Sequence, residues 1–197
     1  MRDDAQTPET AVPLRALPRR VQATIGLLLV VAITVGIVLF NREYGGTSIT
    51  DPGATLPKVG DHLAAIPLTD ATGAPFDMAT LAGRPIWINI WASWCAPCRI
   101  EMPDLQAAYD QEKQLHPDLV LLFLNTADNK ADGTKFFQSL HLTSTLVFNN
   151  GSRDLGPYRV QNFPTSILVD RHGVVRRVLQ QSVDGESATR ELQVILR

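Results

Sequence analysis

The sequence predicts an α/β fold built on a mixed sheet, and three observations predict it. Ile86–Trp91 and Leu119–Leu124 are continuous apolar runs, the pattern of strands covered on both faces, as in a sheet sandwiched by helices. Between them Arg99–Leu115 carries Ile100, Leu105, Ala108, Tyr109 and Leu115 at helical spacing and stops at His116-Pro117-Asp118, so strand, helix and strand make a parallel crossover. Thr165–Asp170 and Val174–Gln180, joined through Arg171-His172-Gly173, read as a hairpin, which makes the sheet mixed. At 197 residues the chain holds one ordinary domain with length to spare.

That spare length lies at the start. Residues 1–20 carry three prolines and no apolar periodicity, and a disordered tail is expected there. Val21–Phe40 contains no charge and only Gln22, Thr24 and Thr34 as polar side chains. As a helix it would span about 30 Å, one hydrocarbon core, so a single transmembrane anchor is expected. A cleaved secretory signal would have a shorter apolar region, about 7–15 residues, and small residues at the cut. Arg19 and Arg20 are all that matches a twin-arginine export signal. Arg15, Arg19 and Arg20 crowd the N-terminal flank, which places the tail in the cytoplasm and residues 41–197 outside it, at the cell membrane of a periplasm-like space. The one apolar block also accounts for the mean hydropathy of +0.01.

Asn41–Pro57, with Gly45, Gly46, Pro52, Gly53 and Pro57, reads as a flexible linker, and the folded domain is expected over 58–197. Segments on either side of Asp70–Pro75 read as an early hairpin between Ile66 and Met78. A helix over Ala131–Leu140, a strand over Thr145–Phe148 and a closing helix over Gly185–Leu196 complete the domain. Asn150-Gly151-Ser152 is a glycosylation sequon that reads as a turn. Residues 41–197 hold 14 Lys+Arg against 17 Asp+Glu, a mildly acidic balance that calls for no nucleic acid.

The only cysteines are Cys95 and Cys98, in Trp94-Cys95-Ala96-Pro97-Cys98, between a buried strand and an amphipathic helix. With Cys95 as the helix cap and Cys98 one turn in, the two share a face and can close a disulfide. Pro97 fits the first turn, where its missing N–H has no intrahelical partner. A thiolate at a helix N-terminus is favoured by unpaired backbone N–H groups and the positive dipole end, so Cys95 is the expected nucleophile and Cys98 the resolving thiol. A zinc site would need two more ligands, and His62, His116, His141 and His172 are scattered, so no metal is expected. An inert staple would close only a four-residue loop and constrain the unfolded chain little.

Trp91-Ala92-Ser93-Trp94-Cys95-Ala96-Pro97-Cys98-Arg99, with Pro103 downstream and Phe163-Pro164-Thr165 later, resembles the thioredoxin superfamily. Glu101-Met102-Pro103, the Val59-Gly60 start and the anchor resemble its tethered TlpA and ResA type, over residues 58–197. The resemblance implies a thioredoxin-like fold with an N-terminal hairpin extension, and a redox-active cysteine pair with no cofactor. It also implies a cis Phe163-Pro164 bond facing the cysteines, with Trp94, Ala96, Pro97, Phe163 and Pro164 meeting substrate; by itself Pro164 also fits a strand start. Many thioredoxins place a buried Asp where Asn89 stands, so the proton relay must differ. Glu101 matches the glutamate this type keeps near its cysteines, where a carboxylate raises thiol pKa values or passes protons; a solvated helix glutamate is the competing reading. Pro103 removes the helical bond to the Arg99 carbonyl.

The implied activity is protein-disulfide exchange in the reducing direction, with apocytochrome c among the substrates, a membrane thiol-electron carrier as donor, and a monomer as the working unit. Two alternative enzymes or carriers share the fold. A peroxiredoxin-like thiol peroxidase uses a P-x-x-x-T-x-x-C box, but Ile88 and Ala92 stand in the Pro and Thr places. A copper carrier uses C-x-x-x-C with a remote histidine. A redox-sensing binding protein is the non-catalytic alternative.

Overall fold

The computed structural model describes residues 18–44, 55–149 and 155–197, and the chain divides between Asp51 and Pro52 into two compact units. In the first, Arg19–Tyr44 form helix α1, which runs four residues past the expected end at Phe40. Leu28, Leu29, Val30, Val31, Ile33 and Val35 are exposed on it. Among the described residues no helix is long and apolar enough to cross a membrane; the side chains at 19, 22, 27 and 37–44 are not among them. The transmembrane reading of 21–40 therefore rests on the sequence. Most of the N-terminal tail, linker residues 45–54 and the Asn150 sequon lie outside the described residues.

The second unit is a seven-stranded sheet in the order β2-β1-β5-β4-β3-β6-β7. Its strands are β1 (Leu68–Asp70), β2 (Pro75–Phe76), β3 (Ile86–Trp91), β4 (Val120–Asn125), β5 (Thr145–Phe148), β6 (Thr165–Val169) and β7 (Val175–Leu179), and its helices are α2 (Ala96–Leu115), α3 (Lys130–Ser139) and α4 (Gly185–Leu196). The central strand, β3, pairs parallel with β4 and antiparallel with β6, so the sheet is mixed as expected. All six β3 residues are buried, which is why the run carries no polar alternation apart from Asn89.

Alternate residues of the central strands feed two cores. Trp87, Trp91, Leu121, Phe123 and Leu168 point into one, with Met102 and Leu105 of α2, Phe137 of α3, and Leu192 and Ile195 of α4. Ile88, Ile90, Leu122, Leu124 and Ile167 point into the other, covered by Ile66, Leu155 and Tyr158 from loops and by Leu81 of the single 3-10 turn Met78–Leu81. Among the described residues α-helical cover is thus confined to one face. Continuous apolar runs show that both faces of a strand are buried, and they carry no information on what does the burying.

Two tight turns close the hairpins by the same chemistry. The Asp70 carboxylate accepts from the N–H groups of Thr72 and Ala74, and the Asp170 carboxylate from those of His172 and Val174. Each turn places a glycine, Gly73 or Gly173, at positive φ, where a side chain would be strained. The two turns lie far apart in sequence yet repeat the pattern Asp-x-x-Gly.

Candidate active site

Beyond Trp91 the chain leaves the sheet through Ala92-Ser93-Trp94, a turn closed by the Cys95 N–H donating to the Ala92 carbonyl at 3.1 Å. Cys95 is the N-cap of α2, its sulfur accepting from the Cys98 N–H at 3.2 Å, and Pro97 sits in the first turn. The two cysteines are disulfide-bonded, with Cα atoms 5.3 Å apart. Cys98 is fully buried, whereas Cys95 keeps 5% of its surface and forms the floor of a depression walled by Trp94, Ala96, Pro97, Gln161, Asn162 and Phe163. Cys98 does not line that depression.

Trp94 is exposed and meets the Phe163 ring edge-on at 5.5 Å. The Phe163-Pro164 bond is cis and Pro164 is buried, immediately before β6, which brings Thr165 alongside Ile90 of β3. Trp91 is wholly buried in the helical core, so of the two tryptophans only Trp94 faces the depression. Arg99 lies on the helix surface with its guanidinium over the Phe136 ring, 5.2 Å from the centroid.

Glu101 is 1% exposed, which rules out the solvated-helix reading. It lies one turn beyond Cys98, on the same face of α2. Its Oε1 accepts from Asn89 Nδ2 at 2.8 Å and its Oε2 from the Val183 N–H at 3.0 Å. Burial pushes its pKa above the ordinary carboxylate value, and the hydrogen bonds from Asn89, Val183 and Ser182 pull partly back. Asn89 is itself wholly buried and also donates to Ser166 Oγ at 3.2 Å. The ionisable group missing from β3 is therefore supplied from α2 and held by the asparagine that replaces it.

A second polar clamp holds the turn before Cys95. Asp128, in the loop between β4 and α3, accepts from the Ser93 N–H at 2.7 Å, the Ser93 hydroxyl at 2.8 Å and Asn125 Nδ2 at 2.6 Å. The sequence reading missed this clamp, together with Gln161 and Asn162 in the depression. Nothing in the local pattern around Asp128 signals a partner 35 residues upstream. The two amide residues lie directly before Phe163-Pro164, and that adjacency was the available signal. Among the described residues no group of three or more His, Cys, Asp and Glu side chains is placed to hold a metal ion.

A disulfide with one sulfur at the surface and the other sealed beneath it can be opened by an external thiol and closed again by the inner one. That arrangement, on a thioredoxin-like fold, defines a thiol-disulfide oxidoreductase whose redox group is the cysteine pair itself. Residues 52–192 match the family model described as Redoxin, and the chain belongs to that family, as a member of the TlpA/ResA type of the thioredoxin superfamily. It is 26% identical over 169 residues to the thiol-disulfide oxidoreductase ResA of Geobacillus kaustophilus (strain HTA426), covering 86% of this chain and 92% of that one. Among solved structures it is similar to the thioredoxin domain of a thiol-disulfide oxidoreductase from Bacteroides vulgatus, with TM-score 0.60 at 21% identity over 72% of this chain and 99% of that one. It is also similar to a thiol:disulfide interchange protein from Chlorobium tepidum TLS, with TM-score 0.58 at 18% identity over 72% and 97%.

Proposed function

We propose that this protein is tethered to the cell membrane by residues 21–40 and reduces protein disulfides outside the cytoplasm, as a monomer. Apocytochrome c is among its substrates, and a membrane thiol-electron carrier re-reduces it. The observation that carries the reducing direction is a buried carboxyl, Glu101, one turn along α2 from the buried sulfur of Cys98. Oxidants of this kind are strong because their reduced thiolate is stabilised. A carboxylate beside the pair does the reverse: it disfavours the thiolate and so favours giving electrons away.

In the reduced protein the Cys95 thiolate, favoured by the helix N-terminus and by the Cys98 N–H, attacks a substrate disulfide. One substrate sulfur bonds to Cys95 and the other leaves as a thiolate that takes up a proton. Cys98 then attacks the Cys95 sulfur and releases the second substrate thiol, and Glu101 manages the proton on Cys98. The substrate gains two electrons and two protons, and the protein ends with the Cys95–Cys98 bond. Trp94, Ala96, Pro97, Phe163 and Pro164 form the wall against which the substrate segment lies.

The tether is supported by the charge-free run Val21–Phe40, by its helical conformation within α1, by the exposed aliphatic side chains there, and by Arg15, Arg19 and Arg20 ahead of it. The deciding experiment is the reduction potential of Cys95 and Cys98 in the full-length chain, read by thiol trapping across defined redox buffers. A potential near that of thioredoxin, about −270 mV, is expected, and one near about −120 mV overturns the reducing role. For the substrate, a strain lacking the protein should lose c-type cytochromes and regain them with added thiol. Normal maturation without thiol overturns that assignment.

A further inference from the structure

Gln161 lines the depression over Cys95 and also a second groove of about 520 Å³, which it shares with Leu56, Lys58, Val59, Arg159 and Val178. The 55–59 wall leads into a segment fixed to β7, where the Gly60 N–H donates to the Val175 carbonyl at 2.9 Å and the Val175 N–H to the Asp61 carbonyl at 2.8 Å. An extended chain entering over the disulfide therefore continues into a groove that is already shaped.

The charges in that groove are one-sided. Lys58 and Arg159 are exposed, and neither side chain has an ion-pair partner among the described residues. Asp61 bonds the backbone N–H of Lys58, not its ammonium. The arginines of β7 behave differently: Arg176 is paired with Asp170 and Arg177 with Glu191. Among the described residues no acidic side chain lines either the groove or the depression. Since residues 41–197 carry more acids than bases, this basic character is local, which suits recognition at the groove over long-range steering.

We propose that the groove walled by Lys58 and Arg159 docks an acidic, extended segment of the protein substrate while its disulfide lies over Cys95. This rests on the disulfide-exchange reading above. Leu56, Val59 and Val178 add apolar surface to the groove's lining, so the preferred segment alternates carboxylates with aliphatic residues.

The test uses the full-length chain in a non-ionic detergent with dithiothreitol as electron source. Disulfide-bonded peptides carry either glutamates or glutamines at two to six residues on each side of one cysteine. The acidic peptide should show about fivefold higher kcat/KM, falling with added salt, since two partly exposed ion pairs each contribute modestly. The Lys58→Gln/Arg159→Gln double variant should lose that preference while reducing 2-hydroxyethyl disulfide at the wild-type rate. Equal rates on the two peptides, or a preference that survives in the double variant, overturn the proposal. Cation-dependent binding to anionic phosphatidylglycerol vesicles without a peptide preference also overturns it and assigns the cations to a lipid surface. No turnover of 2-hydroxyethyl disulfide by the wild type would instead break the exchange reading itself.

Discussion

The two ends of the central sheet each bury a carboxylate, and the two groups are set up in opposite ways. At the site end Glu101 meets only neutral donors, from Asn89, Val183 and Ser182, and burial wins: its pKa rises. At the far end, past Val169, burial also opposes ionisation of Asp170. There the N–H groups of Val174 and His172 and the Arg176 guanidinium outweigh it, and its pKa falls. Burial alone therefore does not decide the state of a carboxylate; it is weighed against the hydrogen bonds that the ionised form accepts. Asp170 is organised as a permanent anion that holds a turn, whereas Glu101 is organised to change its protonation.

The largest effect expected separates chemistry from folding at the site end. Cys95→Ser should reduce disulfide turnover to background while leaving the fold intact. Cys98→Ser should keep the attacking thiol and accumulate mixed disulfides with substrate, seen as an adduct on non-reducing gels. Equal trapping by both variants would reverse the roles assigned from their unequal exposure.

At the far end the opposite division is expected. Asp170→Asn leaves Arg176 without its partner and weakens the buried acceptor that closes the turn, so urea unfolding should show a loss of about 2–3 kcal/mol with disulfide exchange unchanged. Because the folded pKa lies below the unfolded one, this stabilisation is present above roughly pH 4 and is lost as the pH falls through the folded value. The difference between wild type and variant should therefore vanish in acid. A difference that persists there would place the cost in packing, not in charge.

Glu101→Gln should move both readouts, each by less. The folded pKa is raised, so the wild type is most stable below the unfolded value of about 4.3 and loses stability as the pH rises through the folded value. Over that window the stability of the glutamine variant should be flatter with pH. Its exchange rate should fall on the order of 10- to 100-fold and lose one limb of the pH profile. An unchanged profile would remove Glu101 from proton handling and leave it as a buried spacer.

What the sequence disclosed follows the same division between local and distant causes. β3, β5 and α4 fall where apolar patterning and flanking turns place them, and Cys95 caps α2 as its position before Pro97 implies. These are decided within a few residues. The Glu101 environment brings Asn89 of β3 and the adjacent Ser182 and Val183 to α2 from two distant segments, and no pattern within either of them reports that meeting. That no described α-helix covers the second face was hidden for a related reason: Leu155 and Tyr158 cover it from a loop whose packing is set by the tertiary fold.

The Ser93–Asp128 clamp is the smallest and sharpest case, because it links the two kinds of cause in one hydrogen-bond set. Asp128 is tied to its own loop by Asn125, and it reaches back to the residue two before the nucleophile. Ser93→Ala removes the hydroxyl bond but keeps the backbone N–H bond, so a stability loss of only about 1 kcal/mol is expected. The turn would still be closed by the Cys95 N–H, so the disulfide should form normally. What should change is how firmly Trp94 and Cys95 are held over the depression: a severalfold lower kcat on a peptide disulfide is expected, with KM little altered. A loss of stability with no change in kcat would make Asp128 a far-end type of carboxylate, holding a turn and nothing more.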